Sequence, residues 1–219
     1  MRILAINGSH RKGKNTAFML RIVLEEASKL GAQTELIDLA DFRIERCQGC
    51  NKCLRNPTCT IQDDDMGLIA EKLLSAHGIV LGSPVYWGNV TGLMKNFMDR
   101  TRWMSMTRRM LAGKVGAAVT HAGLRNGGQE LALLVMEYFL RSHGMVLAGA
   151  TSESGPRFAS GAMGTLFERI DGSTVSWKRS VEEDAVAVLA CRQLGRNIAD
   201  LIGRLHAQGR VGHPHDGVG

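Results

Sequence analysis

The sequence predicts a doubly wound α/β domain: a five-stranded parallel sheet of order 2-1-3-4-5 with helices on both faces. Short runs such as Ile3-Leu4-Ala5-Ile6 and Ile79-Val80-Leu81 are apolar throughout, as strands buried on both faces must be. Segments with apolar residues at helical spacing alternate with them, which implies right-handed βαβ units. The 219 residues, 44% hydrophobic, suit one core, and the sequence has no internal repeat and no second apolar set.

The elements follow in order. Residues 3–6 form the first strand, which stops at Asn7-Gly8-Ser9. Asn15-Thr16 opens a helix whose Leu20, Val23, Leu24, Ala27 and Leu30 recur at helical spacing until Gly31 ends it. Residues 34–39 are the second strand. Residues 40–62 carry four cysteines and read as loop, and 66–76 is a helix with Leu68, Ile69, Leu73 and Leu74 apolar. Residues 78–83 are the third strand, ended by Pro84. Residues 91–103 are helical, with Leu93, Met94, Phe97 and Met98 on one side. The fourth strand is 114–120. A helix follows at 127–142, with Leu131, Leu134, Val135, Tyr138 and Phe139 as its apolar side. Residues 145–150 are a short fifth strand and 181–205 the final helix. The single domain thus spans 1–205, with an inserted cysteine loop at 43–62 and an irregular Gly/Ser-rich segment at 152–180. That segment, with Phe158, Phe167 and Trp177, is placed to lid the site or reach a second subunit. Residues 206–219 are expected to be a disordered tail.

Charge and patterning exclude several classes. The net charge is +6, and Arg100, Arg102, Arg108 and Arg109 crowd together, but no Lys/Arg run is long enough for a nucleic-acid arm. A basic surface suits an acidic partner as well as simple solubility. No apolar run approaches the ~20 residues of a membrane span. Met1-Arg2-Ile3-Leu4 leads straight into a strand without the plan of a signal peptide, so a cytoplasmic location is expected, with no membrane partner.

In doubly wound sheets ligands bind at the carboxyl ends of the strands, at the switch point between strands 1 and 3. The chemistry is therefore expected just after Ile6, Ser83 and Thr120. After strand 1, Gly8-Ser9-His10-Arg11-Lys12-Gly13-Lys14-Asn15-Thr16 runs into a helix N-terminus, where free N–H groups and a positive dipole end attract anions. Ser9, Asn15 and Thr16 add donors, and Arg11 and Lys14 add charge, which makes a phosphate site. The P-loop pattern is incomplete, because Lys14 is followed by Asn15. After strand 3, Ser83-Pro84-Val85-Tyr86-Trp87-Gly88-Asn89 offers a rigid turn whose amides suit the polar edge of a flavin ring and two aromatics that suit its face. After strand 4, Gly123, Gly127 and Gly128 let backbone approach a ring closely; His121 and Arg125 are within reach of a flavin or second substrate.

The cysteines are spaced Cys47-x2-Cys50-x2-Cys53-x5-Cys59. Three at two-residue gaps let a short loop wrap a cubane iron–sulfur cluster, and the fourth closes the site. Structural zinc prefers two separated pairs, and thiol or disulfide chemistry is the remaining alternative. Cys191 stands alone on the last helix and reads as a small buried hydrophobe.

With these motifs in place, the chain resembles the NADPH-dependent FMN reductase group of flavodoxin-like proteins over residues 1–150. The resemblance rests on Gly-Ser-x-Arg-x4-Thr, Ser-Pro-Val-Tyr-Trp and Gly-Gly-Gln-Glu after strands 1, 3 and 4. It implies that Ser9, Arg11, Asn15 and Thr16 contact the FMN phosphate. It also implies that Pro84, Val85, Tyr86, Trp87 and Asn89 flank the ring, with Thr120, Gly123 and Gly128 on the other side. The cysteine segment after strand 2 narrows the resemblance to the iron–sulfur flavoproteins. That implies a [4Fe–4S] cluster on Cys47, Cys50, Cys53 and Cys59, with FMN nearby. One departure from ferredoxin style is that Pro57 precedes the last cysteine and none follows it.

The function expected is electron transfer between a ferredoxin-like redox protein or NAD(P)H and an acceptor, with no side chain needed as acid, base or nucleophile. The alternative is an NAD(P)H-dependent FMN or quinone reductase without a cluster, and a third reading is a zinc-stabilised binding module. A homodimer or homotetramer is expected, with Trp103, Met104 and Met106 as subunit contact or core.

Overall fold

The computed structural model describes residues 1–152, 158 and 160–208. Strands β1 (Arg2–Asn7), β2 (Gln33–Asp38), β3 (Gly78–Pro84), β4 (Val115–Ala122) and β5 (Val146–Leu147) pair in parallel in the order β2-β1-β3-β4-β5. The order and the parallel pairing are those predicted. Asn7, Pro84 and His121 end at one edge of the sheet, since Asn7 pairs with Gly82 and Pro84 with His121.

Alternation along the strands assigns the two faces. Ile3 and Ala5 point toward α1 (Asn15–Lys29) and the last helix, α6 (Ala185–Ala207). Leu4 and Ile6 point toward α2 (Met66–Ser75), α3 (Gly92–Arg100) and α5 (Gln129–Ser142). At about 25 cal/mol per Å² of apolar surface, these two layers supply most of the driving force for folding.

Several expectations are corrected. The fifth lane is made of two pieces: β5 pairs only with Val115 and Gly116, and a sixth strand, β6 (Ala162–Thr165), takes over along Val119–Ala122. The segment 152–180 is thus largely structured. Besides β6 it carries an antiparallel hairpin, β7 (Phe167–Asp171) and β8 (Thr174–Trp177), with Phe167 edge-on to Trp177. Phe158 packs against the core; residues 153–157 and 159 lie outside the described residues. The helix expected at 91–103 breaks at Thr101, whose hydroxyl bonds back to Met98 O, and resumes as α4 (Arg102–Met106). The final helix starts later than expected, after a 3-10 turn at Val181–Glu183, because Asp184 caps it by accepting from Ala187 N. It continues to Ala207; the expected tail from 209 onward lies outside the described residues.

The apolar side assigned to α5 is wrong for Leu131, Leu134 and Tyr138, while Val135 and Phe139 pack against the core half-buried. Ala132, Leu133, Met136 and Leu140 are buried, while Leu131, Leu134 and Tyr138 are about 60–70% exposed. This helix is apolar nearly all round, so periodicity alone does not choose its face. Cys191 is fully buried as expected, and burial pushes its thiol pKa up. No helix among the described residues is long and apolar enough to cross a membrane.

Candidate functional site

Three loops meet at the carboxyl edge of the sheet and are cross-braced by buried hydrogen bonds. Gly8 N donates to Gly82 O (2.7 Å), and the Thr91 hydroxyl donates to Gly8 O (2.6 Å). A side chain at Gly8 would strike Met94, with its Cβ 2.7 Å from that of Met94. Thr91 also caps α3 by accepting from Met94 N (3.0 Å), and its own N–H donates to Ser83 Oγ. On the other side, Thr120 donates to Ser83 O (2.8 Å) and Val85 N to His121 O (2.8 Å). Asn7 ties the start of the first loop to β2: its Nδ2 donates to Asp38, and its Oδ1 accepts from Ser9 N (3.0 Å).

The first loop ends at a helix N-terminus with no side-chain cap and no acidic residue in its first turn. The first helical hydrogen bond is Phe18 N to Lys14 O, so the N–H groups of Asn15, Thr16 and Ala17 face out of the helix end. Lys12 is engaged by Asp41, whereas Arg11 and Lys14 form no ion pair with described residues. Ser9 Oγ accepts from Arg11 N (3.1 Å), which shapes the turn, and Asn15 Oδ1 accepts from Val181 N (3.2 Å). Thr16, buried, lies 3.1 Å through its Oγ1 from His121 Nε2. His121 is itself buried and its Nδ1 has no partner; burial first, and then the Arg11 charge, push its pKa down to about 4. The imidazole is therefore neutral at neutral pH, and the helix end, Arg11 and Lys14 form a cradle of donors and positive charge suited to a phosphate dianion.

The second loop is a tight turn in which Tyr86 and Asn89 exchange backbone hydrogen bonds (2.8 and 3.0 Å). Both central residues have positive φ, 53° at Trp87 and 70° at Gly88. Trp87 is held in that left-handed region and is fully exposed, so packing does not account for its place. Tyr86 sits beside His10 of the first loop, with ring centroids 6.3 Å apart. Against this turn lies the third loop. Gly128 has φ +96°, and a Cβ there would lie 2.7 Å from Gly88 Cα, so only glycine fits. Gln129, buried, staples the loop by donating to Leu124 O (2.7 Å) and accepting from Gly127 N (2.8 Å). Nothing stands within 4 Å of a Cβ built on Gly123.

The predicted residues therefore divide by role. Ser9, Arg11, Asn15, Thr16, Tyr86, Trp87, Gly123 and Gly128 surround one edge of the sheet. Thr120 is fully buried with its hydroxyl donated to Ser83 O, and Val85 and Asn89 serve the turn through their backbones. The bracing roles of Asn7, Thr91 and Gln129 escaped the sequence reading, although Asn7 ended the first strand and Gln129 stood in the Gly-Gly-Gln-Glu motif; the signal for Thr91 is a threonine ahead of a helical apolar pattern.

The cysteine loop is attached to the same helix by its other end. Helix α3, nine residues or about 14 Å long, starts just after the Tyr86–Asn89 turn and finishes at Arg100, which is 2% exposed. Arg100 donates to Glu45 O (2.7 Å), to Ile61 O (3.4 Å) and to both oxygens of Asp64. Asp64 in turn accepts from Glu45 N and Met66 N. One buried ion pair thus clasps both ends of the segment holding all four cysteines. Burial disfavours the Asp64 charge, but Arg100 and the two N–H donors outweigh it and hold the carboxyl below its usual range.

Within the clasp, Cys47, Cys50, Cys53 and Cys59 line one cavity together with Arg100, Arg102 and Trp103. All four thiols are free. Left-handed backbone at Gly49 and Asn51 bends the chain around the cavity. The N–H of Lys52, then the Thr60 hydroxyl, lower the Cys50 pKa. The donor set fits an iron–sulfur cluster in number and kind. The geometry is looser: among the described residues no three His, Cys, Asp or Glu side chains are already gathered as a metal site. Of the residues expected as contact or core, Met104 is buried, Trp103 lines the cavity and Met106 is half exposed.

A family model described as NADPH-dependent FMN reductase matches residues 1–155. The chain is 37% identical over 201 residues to an iron–sulfur flavoprotein of Archaeoglobus fulgidus, covering 92% of this chain and 95% of that one. Its fold is similar to that of RosB with bound 8-demethyl-8-formylriboflavin-5′-phosphate (TM-score 0.72, 15% identity, 94% of this chain and 81% of that one). It is also similar to a flavodoxin from the domain Archaea (TM-score 0.53, 17% identity, 93% and 99%).

Proposed function

We propose, on the premise that this chain belongs to the NADPH-dependent FMN reductase family and within it to the iron–sulfur flavoproteins, that it is an oxidoreductase with a two-part redox centre. FMN occupies the loops after β1, β3 and β4, and a [4Fe–4S] cluster occupies Cys47, Cys50, Cys53 and Cys59. When bound, FMN exchanges electrons in pairs or singly, and a cluster exchanges them singly. The observation that carries the reading is α3, which is anchored at the flavin turn by Thr91 and at the cysteine cavity by Arg100.

The chain's own part is binding and shielding. The α1 amides, Arg11 and Thr16 hold the phosphate, and neutral His121 fixes the Thr16 hydroxyl. The Tyr86–Asn89 turn presents backbone to the ring edge, while Trp87 and Tyr86 cover it. The clasp of Arg100 and Asp64 brings the four thiols to one cavity. The electron partner is a ferredoxin-like acidic protein or NAD(P)H, for which the net charge of +6 favours encounter. A reducing cytoplasm suits five free cysteines. Exposed Leu131, Leu134 and Tyr138, continuous with the Trp87 turn, support a homo-oligomer.

A cluster-free NAD(P)H-dependent FMN or quinone reductase is the second reading, favoured by the ungathered thiols. The discriminating experiment adds NADPH, NADH or a reduced ferredoxin to the FMN-loaded protein without air. Flavin bleaching accompanied by loss of iron–sulfur absorbance supports the two-part centre. Bleaching by NAD(P)H in a protein free of iron supports the second reading.

A further inference from the structure

Four buried side-chain nitrogens lack a partner among the described residues: Arg100 Nε, Trp103 Nε1, His121 Nδ1 and His143 Nδ1. A neutral imidazole carries one bare nitrogen in either tautomer, so the two histidines need not hide an unused proton. Arg Nε and Trp Nε1 are donors only, in every protonation state open to them. Both of these residues line the cavity of Cys47, Cys50, Cys53 and Cys59, and both also border the adjoining cavity beside Cys59 and Met66. A buried donor left unmade costs about 1–3 kcal/mol, and native proteins leave few of them without a use.

The rest of the Arg100 fork is committed to Glu45, Ile61 and Asp64, which leaves Nε as its spare donor. Because Asp64 neutralises much of its charge at a distance, what Arg100 offers the cavity is a directed N–H.

We infer that Arg100 Nε–H and Trp103 Nε1–H donate hydrogen bonds to the sulfurs of the cluster bound in this cavity and raise its reduction potential. The inference rests on the cluster reading above. Uptake of one electron makes a thiolate-ligated cluster one unit more negative. An N–H aimed at its sulfur stabilises the more negative state more, so the reduced form is favoured. The position of Trp103 just beyond Arg100, after the break at Thr101, brings both donors to the same wall.

The test uses protein purified without air, its iron counted and its cluster titrated by EPR at a series of potentials. Trp103→Phe keeps an aromatic ring but removes the N–H together with the rest of the pyrrole ring; Arg100→Lys keeps the charge and removes Nε. Trp103→Phe is expected to keep its full iron content. At the wild-type midpoint its ratio of oxidised to reduced cluster is expected to rise from one to about ten, equal to a fall of about 59 mV for a one-electron couple. Transfer of wild type into D₂O is expected to shift the Fe–S stretching bands in resonance Raman, and Trp103→Phe to lose part of that shift. If Arg100→Lys loosens the loop and loses iron, Trp103→Phe decides alone. Full iron with an unchanged potential in Trp103→Phe overturns the inference and leaves the cluster reading standing. Wild type carrying flavin but no iron overturns both.

Discussion

The flavin loops and the cysteine loop are built in opposite ways. The flavin loops are held by short buried hydrogen bonds between strands and by glycines that no other residue can replace, so their shape exists before any ligand arrives. The cysteine loop has one short 3-10 turn, Lys52–Leu54, and its thiols range from exposed to half-buried. It is clasped at its ends by Arg100 and Asp64, and in its middle Arg102 donates to the Asn51 side chain (2.8 Å). A flavin site depends on backbone shape, which the sheet provides. A metal site depends on donor identity, and the binding free energy of the metal completes its folding.

The contrast can be broken from either side. The largest effect is expected from the double substitution Cys50→Ser/Cys53→Ser. Iron content should fall to near zero while FMN per chain stays unchanged, measured by iron assay and flavin absorbance. Loss of flavin as well would show that the two regions are one folding unit.

Acid should act through two buried histidines, His121 against Thr16 of the first loop and His143 against Thr101. His121 and His143 are each held near 4 by burial, with Arg11 adding to the effect at His121, against an ordinary value of 6.5. Their folded-state pKa values are depressed, so the stability they contribute is present above pH 6.5 and drains away as the pH falls toward 4. The loss is about 3 kcal/mol for each histidine at 1.36 kcal/mol per unit. The thermal midpoint of the flavin-free protein should change little between pH 6.5 and about 8, where buried Lys114 begins to lose its proton, and drop below pH 6.5. His143→Phe, remote from the flavin loops, should roughly halve the drop without changing FMN affinity near pH 7.

Gly128→Ala should weaken FMN binding by about 10–100-fold, the equivalent of 1–3 kcal/mol of backbone strain and displacement. Iron content should not change, and fluorescence titration of FMN reads the loss. The smallest effect is expected from Thr91→Ala. It removes a helix cap and the brace to Gly8 O, at a cost of about 1 kcal/mol in stability, with a several-fold loss of FMN affinity.

The same contrast explains what could be read from the sequence. The strands and the three loops were legible because apolar runs, helix starts and turn residues are local in the chain, while the strand order followed from the fold class they imply. The divided fifth lane was not, since β6 is only Ala162–Thr165 and its pairing with β4 depends on the fold rather than on a pattern of its own. The buried face of α5 was misread because Leu131, Leu134 and Tyr138 have the right period for a core they do not join. At the site, the cysteines declared themselves by spacing, whereas the clasp did not. Arg100 and Asp64 lie 36 residues apart, and in the sequence Arg100 looks like one more basic residue among Arg102, Arg108 and Arg109. His121 was visible as a loop residue, but its pairing with Thr16 spans 105 positions.

The central claim is that one chain carries both halves of a redox centre, one preformed and one completed by its metal. The most direct test is the iron, acid-labile sulfide and FMN content of the protein purified without exposure to air. The account predicts about four iron atoms and about four sulfides per chain, together with bound FMN. The visible spectrum should then show flavin peaks over a broad shoulder that Cys50→Ser/Cys53→Ser abolishes. Flavin at full content with iron and sulfide absent from the same anaerobic sample would contradict it.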